Sequence, residues 1–118
     1  KDRTDFKRDL SVSLYNVGNI YKALGEGNKA LSYFEESLNI MKELVSLEKD
    51  RTDFAMDYAI SCWNLYRLAT QREDELKYLS DAKMIVEDLK KRGTVHEQLD
   101  LLYKYILDAD KYGEEVNT

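Results

Sequence analysis

Two side chains in this 118-residue chain could support covalent or metal chemistry, the single cysteine Cys62 and the single histidine His96. Hydrolytic catalysis needs a nucleophile, a base and an orienting group that converge, and only this pair offers the first two. Cys62 falls on the apolar register of a helical pattern, which predicts a small core residue. His96 falls at the first turn of a later helix, which predicts a solvated or helix-capping role. One cysteine and one histidine without a CxxC pair match no zinc-site spacing and form no disulfide framework. The adjacent acids Glu35-Glu36 and Glu73-Asp74-Glu75 lie on exposed helix faces or near a helix start, where carboxylates meet the positive end of the helix dipole. Gly25-Glu26-Gly27 lacks the preceding strand and the following lysine of a phosphate loop, and Lys90-Lys91-Arg92 closes a helix C-terminus, where cations are expected. The chemistry-bearing residues therefore predict no enzyme, no metal and no cofactor.

A formal net charge of −5 argues against general nucleic-acid binding. No apolar run approaches the roughly 18 residues of a membrane span. The length predicts one domain, and a cytoplasmic protein without membrane partners is the expectation.

An internal repeat sets the architecture. Lys1-Asp2-Arg3-Thr4-Asp5-Phe6 returns letter for letter as Lys49-Asp50-Arg51-Thr52-Asp53-Phe54, 48 residues on. The frame continues without a gap: Asp9, Ser13 and Asn16 fall on Asp57, Ser61 and Asn64, and Lys29, Leu31, Ser32 and Lys42 fall on Lys77, Leu79, Ser80 and Lys90. Apolar positions keep the same register, Val12 with Ile60, Tyr15 with Trp63, Val17 with Leu65 and Leu38 with Val86.

Each unit holds two helical patterns. Leu10, Leu14, Val17, Ile20, Tyr21 and Leu24 step by three and four, as do Leu31, Phe34, Leu38, Met41 and Leu44. Thr4 and Asp5 are expected to cap the first helix, and Gly25-Glu26-Gly27-Asn28 to end it and supply Asn28 as the next N-cap. The second unit predicts helices at about 53–72 and 75–92, stopped by Gly93, and a fifth helix follows over about 95–112 with Leu99, Leu102, Ile106 and Ala109 on one face. A generic helical bundle is the alternative to a repeat array.

The stretch Leu14–Gly25 followed by Asn28–Leu38 resembles the tetratricopeptide repeat (TPR), with Val17, Gly18, Tyr21, Gly25, Ala30, Phe34, Ser37 and Leu38 at the signature positions. The longer period is similar to the long-helix form found in kinesin light chains and in large bacterial multidomain proteins. The resemblance implies an all-α, right-handed α-solenoid of antiparallel helix pairs: repeat one over about 1–48, repeat two over about 49–93, and a half repeat or capping helix over about 94–118.

The second unit departs from the signature. Tyr66 replaces the small residue, Ala69 the tyrosine, Tyr78 the alanine and Ala82 the aromatic. Where the first unit sets Gly18 and Tyr21 against Ala30 and Phe34, the second sets Tyr66 and Ala69 against Tyr78 and Ala82, which predicts compensated volumes across the helix pair. The other reading is a degenerate repeat in a shifted register. Helix five matches the pattern a third time, Leu102–Ile106 on Cys62–Tyr66 with Gly113 at the turn position. Two readings of it stand, an array cut mid-repeat, which is favoured, and a natural cap. The first predicts an open apolar face at Leu102, Ile106 and Ala109 and self-association through helix five.

In this family the first helices of successive units line a concave groove. The resemblance then implies a peptide-binding set of Tyr15, Asn16, Asn19 and Lys22 from the first unit, Trp63, Asn64 and Arg67 from the second, and Tyr103 and Lys104 from helix five. Carboxamides would hold a partner's backbone, aromatics would supply rigid contact area, and the basic residues would favour acidic groups. The competing account packs Tyr15 and Trp63 between neighbouring helices. The expected function is a non-enzymatic protein-interaction scaffold, a segment of a larger protein. The alternative is a regulatory or sensor array that docks a protease or ATPase domain of its own chain.

Overall fold

The computed structural model describes the backbone of residues 3–117 and the side chains of residues 3–112. Five helices and no strand make up the described chain: α1 (Arg3–Ala23), α2 (Gly27–Leu47), α3 (Thr52–Leu68), α4 (Arg72–Lys91) and α5 (Glu97–Asn117). Packing follows chain order, with α1 on α2, α2 on α3, α3 on α4, α4 on α5, and a lighter contact of α5 with α3. The shortest molecular dimension, 22 Å, is about two helix diameters, so the helices form two layers around one core.

Two helices end in the same device. Gly25 (φ 79°) follows α1, its N–H reaching Lys22 O at 3.1 Å while Glu26 N–H reaches Tyr21 O at 2.9 Å. Gly93 (φ 74°) repeats this after α4, with Gly93 N–H on Lys90 O at 3.0 Å and Thr94 N–H on Leu89 O at 3.1 Å. These paired bonds satisfy carbonyls that a helix end leaves open, and glycine enters the left-handed region they require without steric cost.

The helix starts differ from expectation. Thr4 and Asp5 lie inside the first turn of α1, where the Asp5 carboxylate faces the dipole. Asn28 lies inside α2; Glu26 stands at its N-cap position without a side-chain capping bond. α3 stops at Leu68, earlier than its pattern predicts, where Ala69 turns extended. α5 runs through Gly113 to Asn117, since an interior glycine costs about 1 kcal/mol and does not by itself end a helix. Lys1, Asp2 and Thr118 lie outside the described residues.

Burial obeys the 48-residue frame in the second helices: Ala30, Phe34, Leu38 and Met41 are buried, as are Tyr78, Ala82, Val86 and Leu89. The first helices break it. In α1 the expected core residues Leu10 and Ile20 are exposed, as is Leu24 just past its end, and the side facing α2 is made of small residues, with Ser11 and Gly18 buried. Small residues are what close approach demands. A Cβ on Gly18 would stand 2.6 Å from Phe34 Cε1, so the ring fills the space glycine leaves. Ser11 and Ser37 clasp α1 to α2: Ser11 Oγ donates to Ser37 O (3.0 Å), Ser37 Oγ to Ser11 O (2.7 Å), and the two hydroxyls lie 2.8 Å apart. In the second unit the equivalent positions are Ala59 and Ile85.

Leu99, Leu102 and Ile106 of α5 are buried in the chain's own core, with Ala109 packed against it. The face expected to stand open at Leu102, Ile106 and Ala109 is therefore closed. α5 exposes Leu101, Tyr105 and Tyr112 instead.

Candidate functional site

α1 and α3 line a groove whose floor is α2. Long side chains bridge it in two places. At one end the Arg8 guanidinium donates to Asp57 Oδ2 (3.1 Å) and lies 3.8 Å from Asp53 Oδ2. Asp53 also takes a two-pronged contact from Arg51 (3.0 and 2.8 Å), which holds its carboxyl below the usual carboxylate range. Further along, Asn64 Nδ2 donates to the Tyr15 hydroxyl (2.5 Å).

This second bridge separates two cavities. One, of about 250 Å³, is mainly apolar, with Val12, Tyr15, Met41 and Ile60 on its walls and Ser11, Ser37, Ser61, Arg8 and Asp57 at its polar edge. The other, of about 130 Å³, is polar, lined by Asn19, Lys22, Asn64 and Arg67 over Tyr15, Phe34 and Leu68. Tyr15 and Phe34 meet with ring centroids 5.0 Å apart and planes tilted by 47°, so the groove wall is braced directly by the core.

The residues expected from sequence divide accordingly. Tyr15, Asn19, Lys22, Asn64 and Arg67 come together around the polar cavity. Asn16 is exposed and outside both cavities, so the Asn16 and Asn64 positions are not equivalent in the structure. Trp63 is half-buried and stacks on Tyr66 (5.2 Å) and on Tyr105 of α5 (6.2 Å). Tyr103 carries Lys90 Nζ 5.2 Å above its ring and so belongs to the α4 side, while Lys104 is exposed outside the groove. Tyr105, not Tyr103, is the α5 aromatic that meets Trp63. The placement of α5 rested on a short match at an offset of 40, too little to fix a helix face. Arg8, Met41 and Asp57 were also missed, although Asp57 is the repeat partner of Asp9.

Charge pairing distinguishes the polar cavity. Lys7 pairs with Glu43, Arg8 with Asp57, and Arg51 with Asp53. Among the described residues no carboxylate pairs with Lys22 or Arg67. Two cations and two carboxamides thus share one recess, a set suited to a carboxylate or another anion.

Cys62 and His96 are far apart in role. Cys62 is fully buried beside Tyr58, and burial pushes its thiol up to about 12, so it stays protonated at neutral pH. His96 stands just ahead of α5, and its Nδ1 accepts the Gln98 backbone N–H at 3.1 Å, a helix cap. Among the described residues no cluster of His, Cys, Asp or Glu has the arrangement to hold a metal ion. No described helix is long and apolar enough to cross a membrane. No family model, no curated protein and no solved structure matches the chain.

Proposed function

We propose that the chain is a TPR-like, non-enzymatic protein-interaction module whose α1–α3 groove receives a peptide segment, with an acidic group of that segment at Lys22 and Arg67. The carrying observation is that these two cations line one recess with Asn19 and Asn64 and have no carboxylate partner there, on a chain of net charge −5. The repeat frame and the chain-order packing support a solenoid of antiparallel helix pairs as its architecture, and the resemblance to the TPR implies its right hand. A cytoplasmic setting within a larger protein goes with this reading.

The test is a fluorescence-anisotropy screen of labelled, unstructured heptapeptides, acidic ones against the same sequences with Glu and Asp changed to Gln and Asn. Binding of an acidic subset that falls at least tenfold in Lys22→Ala/Arg67→Ala, with the unfolding midpoint unchanged, is expected. Equal binding by both peptide sets, or by wild type and variant, removes the groove assignment.

A further inference from the structure

The apolar cavity of about 250 Å³ between α1 and α3 lies across the Tyr15–Asn64 bridge from Lys22 and Arg67, and it takes no part in holding an acidic group there. Departures from the internal repeat build it. Ile85 of the second unit stands where Ser37 stands in the first, and Met56 stands where Arg8 stands. On the α2 floor Ser37 leaves volume that an isoleucine would fill, and at the rim Arg8 sets a cation where a methionine would be apolar. The result is a recess with apolar walls, Val12, Tyr15, Met41 and Ile60, and with one charge of each sign at its edge, Arg8 and Asp57.

That edge has bonding capacity to spare. Arg8 and Asp57 share a single hydrogen bond of 3.1 Å, while Asp53 lies 3.8 Å from Arg8 and is already held by two bonds from Arg51. Arg8 therefore keeps N–H donors for a further carboxylate, and Asp57 keeps Oδ1 for a further cation. Both side chains are 39% exposed, so a solute reaches them without opening the core. The matching ligand carries an anion and a cation on neighbouring atoms, with an apolar group beside them. Volume limits its size, since about 250 Å³ falls below the roughly 300–1,000 Å³ of pockets for drug-sized molecules. We propose that the cavity binds a free apolar α-amino acid such as leucine. Its carboxylate pairs with Arg8, its ammonium with Asp57 beside the Ser61 hydroxyl, and its side chain packs on Val12, Met41 and Ile60. The site is separate from the Lys22–Arg67 recess and does not depend on a peptide being held there.

Methyl NMR reads the cavity directly, because Met41 lines it while Met84 is exposed on α4. The probe is L-leucine, titrated to about 10 mM into the 118-residue chain with isotope-labelled methionine methyls, the Met41 signal being assigned with Met41→Leu. The Met41 signal is expected to move saturably and the Met84 signal to stay in place. N-acetyl-leucinamide has the side chain without either charge, and glycine has both charges without the side chain; each is expected to bind at least about tenfold more weakly. Arg8→Gln and Asp57→Asn are expected to weaken L-leucine to the same degree. Since both also loosen a tie between α1 and α3, Val12→Trp serves as the second variant: it closes the cavity from an exposed wall position, leaves both charges in place and abolishes the response. Lys22→Ala/Arg67→Ala leaves the response unchanged. No movement of the Met41 signal, or a response that survives Val12→Trp or both charge variants, overturns the assignment. Equal binding of N-acetyl-leucinamide also overturns it and makes the cavity a seat for an apolar side chain of a bound peptide.

Discussion

Gly18 and Phe34 claim one volume: a Cβ on Gly18 would lie 2.6, 2.8 and 3.1 Å from three atoms of the Phe34 ring. Gly18→Ala gains about 1 kcal/mol of helix propensity but overpacks a buried ring at a cost of about 1–3 kcal/mol. The variant is expected to be destabilised in urea melts. Adding Phe34→Leu should cost less than Phe34→Leu does in the wild-type background, and strict additivity would show that the ring moves aside freely.

The equivalent pair in the second unit is Tyr66 and Ala82, the first half-buried and the second fully buried. Ala82→Phe alone should cost about 1–3 kcal/mol by overpacking. Tyr66→Gly alone should cost about 2–3 kcal/mol, through lost burial and a helix-interior glycine. The double variant restores the Gly–Phe pairing of the first unit and should be less destabilised than the two effects added.

The Ser11–Ser37 clasp contains two side chain-to-backbone bonds, each independent of the other hydroxyl. Ser11→Ala and Ser37→Ala should therefore each cost about 0.5–1.5 kcal/mol. Each hydroxyl has one proton and the two carbonyl bonds use both, so the combination should cost about the sum, with little coupling between the hydroxyls. A double-mutant cycle in chemical denaturation measures that coupling.

Asn64 commits one of its two amide N–H groups to the Tyr15 hydroxyl, which ties α3 to α1. Asn64→Ala and Tyr15→Phe should each cost about 0.5–1.5 kcal/mol of stability and be non-additive. A purely surface asparagine would fall within about 0.5 kcal/mol, and that outcome would place the bridge outside the folded state in solution.

Burial raises the thiol of Cys62 to about 12 and raises the phenols of Tyr58 and Tyr78 above their ordinary range. An acid whose folded pKa exceeds its unfolded one keeps its proton after the unfolded chain has lost it. Stability is then complete below the unfolded pKa and falls as pH rises between the two, by about 1.4 kcal/mol per pH unit for each group. For Cys62 the fall begins near pH 9, and the two tyrosines add to it above about pH 10. Urea midpoints at pH 8, 10 and 11 should show the decline, and Cys62→Ala should flatten its first part. An identical slope in the variant would mean that Cys62 is not shielded. Native Cys62 should likewise resist alkylation at pH 8 until the chain is unfolded.

The repeat was legible because it is written in residue identity: Lys1–Phe6 and Lys49–Phe54 match outright, and the buried sets of α2 and α4 follow at the same interval. The facing of α1 was not, because its inner side is made of Ser11 and Gly18 while Leu10 and Ile20 are exposed. Periodicity finds an apolar stripe; it does not say which side a neighbour occupies. In the groove, Tyr15, Asn19, Lys22, Asn64 and Arg67 line one cavity, whereas Asn16 and Trp63, placed by the same 48-residue frame, do not join them. Nor do those on α5, since Tyr103 and Tyr105 are two residues apart and face different neighbours.

The chain-order packing has a consequence for how the molecule opens. Among the described residues α1 makes close backbone contact with α2 alone, and its ties to α3 are side-chain contacts, Arg8 with Asp57, Asp53 and the Phe54 ring and Tyr15 with Asn64. Nearly all cohesion is therefore between sequence neighbours, which is the condition for rapid folding and for stepwise, rather than all-or-none, opening. α1 is the outermost plank of a boarded hull, fastened along one edge. It can lift while α3 and α4, enclosed on both sides, stay shut.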